Sequence, residues 1–317
     1  MVAPANPGDF DMMVSRHWTR TAIDSFDGST LVISDLHLGD RSGADDFAPN
    51  EPFLQAFLEE VAPRARRVIL NGDIFELWQT DLEPILFAYP RLIATLVELA
   101  RQVEVIYILG NHDWLPFHAF AGVGLAGAQV LPEFGSAESG MLVLHGHQWD
   151  ELTRTVGGGL PLLSAVSRMV TRLVGLCERI VPTIDDTLGE YGGRLAEFQH
   201  RHRNSPGRSG YSEGAADRYK EAAARLIREG GLRLVVAGHT HIPTLCDFDP
   251  GIYCNTGSWA FRRYPPTFAA VDDETVRLVD ASTLRPLAKA RLPANTKPEA
   301  TKRRTAVALP LATAHEP

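Results

Sequence analysis

The sequence is short of several features that would each have set its class. It holds three cysteines in 317 residues, Cys177, Cys246 and Cys254. None stands at C-x-x-C spacing and the count is odd, so reduced thiols are expected rather than a disulfide framework. Cys246 and Cys254 could still face each other across a hairpin turning at Asp249-Pro250-Gly251. The first 25 residues lack the apolar core of a secretory leader. No run of about 18 uncharged apolar residues occurs, so no membrane-spanning helix is expected. Positive charge is in deficit: 31 Lys and Arg stand against 39 Asp and Glu, a formal net charge of −8. A general nucleic-acid binder carries a basic surplus, so no nucleic-acid partner is expected.

What is present is an ordinary globular balance, 44% hydrophobic and 22% charged, with length for one large domain or a domain plus an insertion. Short apolar runs read as strands at Leu31-Val32-Ile33-Ser34, 67–71, 104–109, 141–144 and 232–236, and 251–257, 266–272 and 275–280 read as successive antiparallel strands. Between them, Phe53, Phe57, Leu58 and Val61 recur at helical spacing in 51–63, and 83–102 reads as a helix broken or started near Pro90. This alternation predicts an α/β domain with right-handed crossovers. The domain map follows: an N-terminal extension at 1–27, a catalytic domain at 28–150 and 232–290, a helical cap insertion at 151–231, and a disordered tail at 291–317 rich in Lys, Arg, Pro, Thr and Ala.

The strand-like runs end in polar motifs: Asp35-Leu36-His37, Asn71-Gly72-Asp73, Gly110-Asn111-His112-Asp113, His145-Gly146-His147 and Gly238-His239-Thr240-His241. In an α/β sheet, ligands gather beyond the carboxyl ends of the strands, where these motifs fall. One Asp or His alone is most often a cap or a surface group; five polar motifs in this position point to one metal site. The candidate ligands are Asp35, His37, Asp73, Asn111, His145, His239 and His241. Oxygen and imidazole donors suit two divalent ions, Mn, Zn, Fe or Mg, with the two carboxylate oxygens of Asp73 able to bridge them. In an extended segment residues i and i+2 point the same way, so Asp35 and His37 are expected to grip one ion. His239 and His241 share that spacing, although a loop could send them to different ions. His147 is expected to support a ligand or take no part. Gly122-Val123-Gly124-Leu125-Ala126-Gly127 matches a dinucleotide-binding pattern but follows no clear strand, so it is read as a loop.

In their order the five motifs resemble the calcineurin-like metallophosphoesterase superfamily over about residues 30–260, apart from the insertion. The resemblance implies a four-layer αββα sandwich with a dinuclear site. It assigns Asp35, His37, Asp73 and His241 to one ion and Asp73, Asn111, His145 and His239 to the other, with manganese the expected metal. His112 would act on the phosphate as an acid or a stabiliser of charge, beside a cation pair that makes water reactive toward phosphorus. Asp113 would orient His112, or serve only as a helix N-cap.

The runs Ser34–Gly39 and Gly72-Asp73-Ile74-Phe75-Glu76-Leu77-Trp78 are similar to the UDP-2,3-diacylglucosamine pyrophosphatase branch, which cleaves a nucleotide-linked lipid. That branch commonly has arginine where this chain has His112. In the insertion, Arg168, Arg172 and Arg179 of a helix over 160–181 would fall within about 40° of arc, opposite a broad apolar face. Such a helix could meet lipid phosphates at a membrane surface, line an acyl pocket, or pack as a cap. His200 and His202, flanked by arginines, lie in a basic loop that could meet substrate phosphates. The expected protein is a cytoplasmic phosphoester hydrolase, peripheral to the inner membrane face, acting on a lipid-linked pyrophosphate. The alternatives are a phosphomonoesterase or phosphodiesterase with another substrate, and a scaffold that kept the fold without catalysis. A scaffold is expected to lack ligands, and none of the expected set is missing.

Overall fold

The computed structural model describes residues 18–113, 127–149, 213–260 and 264–294. Arg168, Arg172 and Arg179, the histidines of the basic loop, and all of the Gly122–Gly127 run except Gly127 lie outside the described residues.

The chain begins with α1 (Arg20–Asp24) and β1 (Thr30–Ile33), then α2 (Glu51–Ala56), β2 (Arg67–Asn71), α3 (Leu82–Ala88), α4 (Pro90–Gln102) and β3 (Glu104–Ile108). Three short strands follow, β4 (Gln129–Leu131), β5 (Phe134–Ser136) and β6 (Met141–Val143). After α5 (Glu213–Gly230) come β7 (Leu234–Ala237), β8 (Thr244–Asp247), β9 (Ile252–Asn255), β10 (Thr267–Val271), β11 (Thr275–Asp280) and β12 (Arg285–Arg291). Pro90 ends one helical stretch and opens the next. Its missing N–H costs nothing at the first position of α4.

The strands form a seven-stranded sheet, ordered β12-β11-β10-β1-β2-β3-β4, and a five-stranded sheet, ordered β5-β6-β7-β9-β8. β1 to β4 run parallel, as do β6, β7 and β9. Buried strands alternate their side chains between two apolar layers. Leu31, Ile33, Val68, Leu70, Val105 and Tyr107 face Leu92, Leu96 and Leu99 of α4 and its neighbours. Val32, Ile69, Ile106 and Ile108 face the second sheet, meeting Val143, Leu234, Val236, Ile252 and Cys254. On the far side of that sheet, Val235, Ala237 and Tyr253 pack on Ala223 and Ile227 of α5. The layers run helix, sheet, sheet, helix, the expected αββα sandwich. Each fully buried Leu, Ile or Val contributes about 1.5–3 kcal/mol before conformational entropy is counted.

Element limits differ from the expected segments in instructive ways. Trp18 and Phe26, inside the stretch read as an extension, join the first apolar layer. α5, inside the stretch read as a cap, is itself the outer layer of the second sheet. β12 crosses the boundary drawn at 290, and Leu292 beyond it is buried. The β8–β9 hairpin does turn at Asp249–Gly251, but its register pairs Cys246 with Tyr253 and Cys254 with Leu245. Side chains one step apart on a strand leave on opposite faces, and both thiols are free.

Candidate metal centre

Each candidate ligand leaves the carboxyl end of a strand: Asp35 and His37 after β1, Asp73 after β2, Asn111 after β3, His145 after β6, and His239 and His241 after β7. The chain does not leave those strands in the extended form expected for Asp35 and His37. Both adopt left-handed φ, 54° and 48°, as do Asp73 at 53°, His239 at 68° and His241 at 58°. Non-glycine residues seldom adopt this region, and five of the seven that do among the described residues are candidate ligands. Backbone bonds hold these turns. Asp35 N donates to Gly72 O at 3.0 Å, His37 N to Asp73 O at 2.9 Å and Gly238 N to His145 O at 2.8 Å. Two glycines make room: a Cβ on Gly110 would collide with the Asp73 carboxylate, and one on Gly72 with the ring of His145.

The side chains meet in two groups. Ligand atoms of Asp35, His37 and His241 lie within 4.8 Å of one another, and so do those of Asp73, His145 and His239. His239 and His241 therefore part, one to each group. Asp73 Oδ2 joins the groups, 3.1 Å from His145 Nε2 and 3.9 Å from His37 Nε2. His241 Nε2 is 3.1 Å from Asp35 Oδ1. Asn111 Oδ1 is buried without a hydrogen-bond partner. Such an orphaned acceptor is costly unless a donor or a cation reaches it.

Electrostatics make the same point. His145 Nδ1 lies 2.8 Å from the carbonyl oxygen of Asn71. A carbonyl only accepts, so Nδ1 carries the hydrogen and the neutral ring offers a lone pair from Nε2. Burial opposes charge on His145, but the carboxylates of Asp73 and Asp35 outweigh it and lift its pKa to about 10. Burial likewise opposes charge on Asp35 and Asp73, yet the neighbouring histidines hold both carboxyls below the ordinary range. His241 is lowered by burial against the pull of Asp35, which favours the neutral imidazole that ligates metals. Two buried carboxylates, four imidazoles and one bare amide oxygen suit divalent cations.

His112 stands beside these groups, and Glu76 holds it. The Glu76 carboxylate is 2.8 Å from Nδ1 of both His37 and His112. Burial works against its charge, but His112 and His37 outweigh that and bring its pKa to about 2. In turn, despite burial, Glu76 and Asp73 raise His112 to about 9. Asp113 is expected either to orient His112 or to cap a helix; its contacts among the described residues do not include the His112 ring, and any helix it would cap lies outside them. Asp113 accepts from Ile74 N at 2.9 Å, Gly110 N at 2.6 Å and Tyr107 Oη at 2.6 Å, clamping the loops after β2 and β3. Burial and the Asp73 charge lift its carboxyl to about 6. The ring of His147 is 5.5 Å from that of His145 and 6.4 Å from that of His239, beside the second group.

Sequence reasoning gave no role to Glu76. The available signal was an acidic residue inside the apolar run Ile74–Trp78, which must find a partner once buried. It also passed over 255–258, where Asn255 Nδ2 donates to Gly238 O at 2.6 Å, Ser34 Oγ and Thr256 Oγ1 lie 2.6 Å apart, and Ser258 Oγ donates to Asp35 O at 3.0 Å. These residues splint the loops that carry Asp35 and His239.

The chain is 30% identical over 227 residues to the UDP-2,3-diacylglucosamine hydrolase of Aeromonas salmonicida, covering 69% of this chain and 80% of the relative. It is 26% identical over 221 residues to the enzyme of the same name from Coxiella burnetii, covering 69% of this chain and 82% of the relative. The crystal structure of a dimetal phosphatase from Danio rerio aligns with 84% of this chain and 98% of its own, at 15% identity and a TM-score of 0.45. The calcineurin-like phosphoesterase family profile matches residues 28–243. The chain belongs to the calcineurin-like phosphoesterase family and is a metal-dependent phosphoester hydrolase.

Proposed function

We propose that the substrate is a lipid-linked pyrophosphate of the UDP-2,3-diacylglucosamine type, cleaved to UMP and a lipid monosaccharide phosphate. The observation that carries this reading is the likeness to the Aeromonas salmonicida enzyme of that name across 80% of its length. The run Gly72–Trp78, similar to that branch, supports it.

In this reading Asp35, His37, Asp73 and His241 would hold one divalent cation, and Asp73, Asn111, His145 and His239 the other, manganese being the proposed metal. When bound, such a cation pair would supply polarisation of phosphate oxygens and a water of lowered pKa. The chain's own residues do the rest. Glu76 fixes His37 through Nδ1, turning Nε2 to the first group. The same carboxylate takes Nδ1 of His112, so Nε2 of His112 is the nitrogen left to give a proton to the departing oxygen.

A second reading, a phosphodiesterase or phosphomonoesterase acting on another substrate, is favoured by His112, which stands where that branch commonly has arginine. We further propose that residues 151–212 cap the site, with Arg168, Arg172 and Arg179 meeting lipid phosphates at the inner membrane face. Among the described residues no helix is long and apolar enough to cross a membrane. Release of UMP from the acylated sugar nucleotide, run beside bis-p-nitrophenyl phosphate with added Mn²⁺, separates the readings. Turnover of the simple ester without UMP release overturns the lipid assignment. Loss of lipid turnover alone on deletion of 160–181 supports the cap, and equal turnover of both substrates after deletion removes it.

A further inference from the structure

Trp78 is half-buried and belongs to none of the three apolar clusters. Its indole instead lies flat against the imidazole of His112, centroids 4.2 Å apart and planes 15° from parallel. Its Nε1–H donates to the carbonyl oxygen of Asn111 at 2.8 Å, the residue just before His112. An aromatic ring of this size normally joins the core; this one spends its face on a histidine and its donor on the adjoining backbone.

The His112 ring needs such a neighbour. Rotation about the last torsion of a histidine is broad, with no sharp staggered wells. A hydrogen bond from Nδ1 to Glu76 fixes one atom of the ring and leaves it free to pivot about that bond. The edge of His37, 4.7 Å away at 86°, limits the swing from one side. A parallel indole removes the remaining pivot, and its face favours a ring that carries a proton.

We propose that Trp78 is a positioning residue that holds the His112 ring in the plane from which Nε2 reaches the departing oxygen, and so sets which leaving groups the enzyme expels. This rests on the hydrolase reading above and on His112 as its proton donor. A leaving group that departs readily as an anion needs little help from an acid; one that departs poorly depends on the donor's aim.

The test measures kcat and KM for bis-p-nitrophenyl phosphate, with an acidic leaving group, and diphenyl phosphate, with a less acidic one. It uses wild type, Trp78→Phe, Trp78→Leu, His112→Asn and the double variant. It is paired with NMR of histidine ring protons in Zn²⁺-loaded protein, where a stacked indole shifts the His112 signals upfield. We expect Trp78→Leu to lower kcat for diphenyl phosphate about tenfold more than for the nitrophenyl ester, with KM unchanged. Its His112 signals should move downfield. Trp78→Phe should restore most of the selectivity, and in the His112→Asn background Trp78→Leu should add none. Equal losses on both esters, selectivity that persists without His112, or ring signals unmoved in both Trp78 variants would overturn the proposal. If wild type hydrolyses neither ester, the ring signals alone decide: His112 signals unmoved in both Trp78 variants overturn the proposal whatever the substrate, and a downfield move in Trp78→Leu supports it.

Discussion

His145 presents Nε2 to Asp73 Oδ2 at 3.1 Å while its Nδ1 is committed to the carbonyl oxygen of Asn71. The neutral ring would thus aim a lone pair at a carboxylate, and that approach is favourable only with a positive charge between them. In metal-free protein the charge is a proton, which is why His145 is lifted to about 10. A histidine whose folded pKa exceeds its unfolded value near 6.5 stabilises fully below that value and loses its contribution as pH rises through the folded pKa. His112, raised to about 9, adds to the same window. Metal-free protein should therefore lose thermal stability between about pH 7 and 10, and Asp73→Asn should flatten that fall. Because proton and cation compete for one position, apparent Mn²⁺ affinity should rise over the same range with release of protons. Calorimetric titration in buffers of different ionisation enthalpy reads this directly; binding without proton release would contradict it.

Glu76 contacts both His37 of the first group and His112, the proposed proton donor, so replacing it should show in two assays. Glu76→Gln keeps the shape and removes the charge that, with Asp73, raises His112. The basic limb of kcat should move to lower pH than in wild type, since His112 must be protonated to donate. Loss of the carboxylate behind His37 should weaken metal binding by about 10–100-fold. A pH–rate profile at saturating Mn²⁺ separates the two effects, and an unmoved basic limb would remove Glu76 from the proton path.

These two residues mark how far sequence reading reaches here. Val32, Ile69, Ile106 and Val236 lie in strands buried on both faces, whose unbroken apolar runs can be read directly. β4 and β5 are three residues each, too short to carry a pattern. β12, Arg-Pro-Leu-Ala-Lys-Ala-Arg, is an edge strand whose charges and Pro286 disguise it as tail. The ligand candidates stood out because polar residues followed apolar runs. Glu76 did not, because its partners are 36 and 39 residues away in sequence and only the fold brings them together. The left-handed turns at Asp35 and His37 were hidden too: Asp and His enter that region more often than most residues, but neither requires it.

Asp113 supplies a contrast between holding a loop and taking part in chemistry. Its two oxygens accept from Ile74 N, Gly110 N and Tyr107 Oη, all donors. Asp113→Asn puts an NH₂ group against at least one of those donors, which should cost about 1–3 kcal/mol of stability. Because His112 is oriented by Glu76, kcat at a temperature where the variant remains folded should change by less than about threefold. Chemical denaturation paired with kcat tests both parts; a loss of activity of 100-fold or so in folded protein would return Asp113 to the chemistry.

Asn111 offers the sharpest separation of a metal ligand from a structural polar group. Its Oδ1 is buried and unpartnered, so in metal-free protein it is a cost rather than a contribution. Asn111→Leu removes the orphan while filling a similar volume, and metal-free protein should be as stable as wild type or more so. With metal the sign reverses. A ligand that binds only the folded state stabilises it by RT ln(1 + [L]/Kd), about 2.7 kcal/mol at one hundred times Kd, and a variant that has lost a ligand at the second group should lose most of that gain. Thermal melts with and without Mn²⁺ on wild type and variant give four values. If Asn111→Leu lowers stability equally in both conditions, Oδ1 is a structural atom and the second cation must be held by Asp73, His145 and His239 alone.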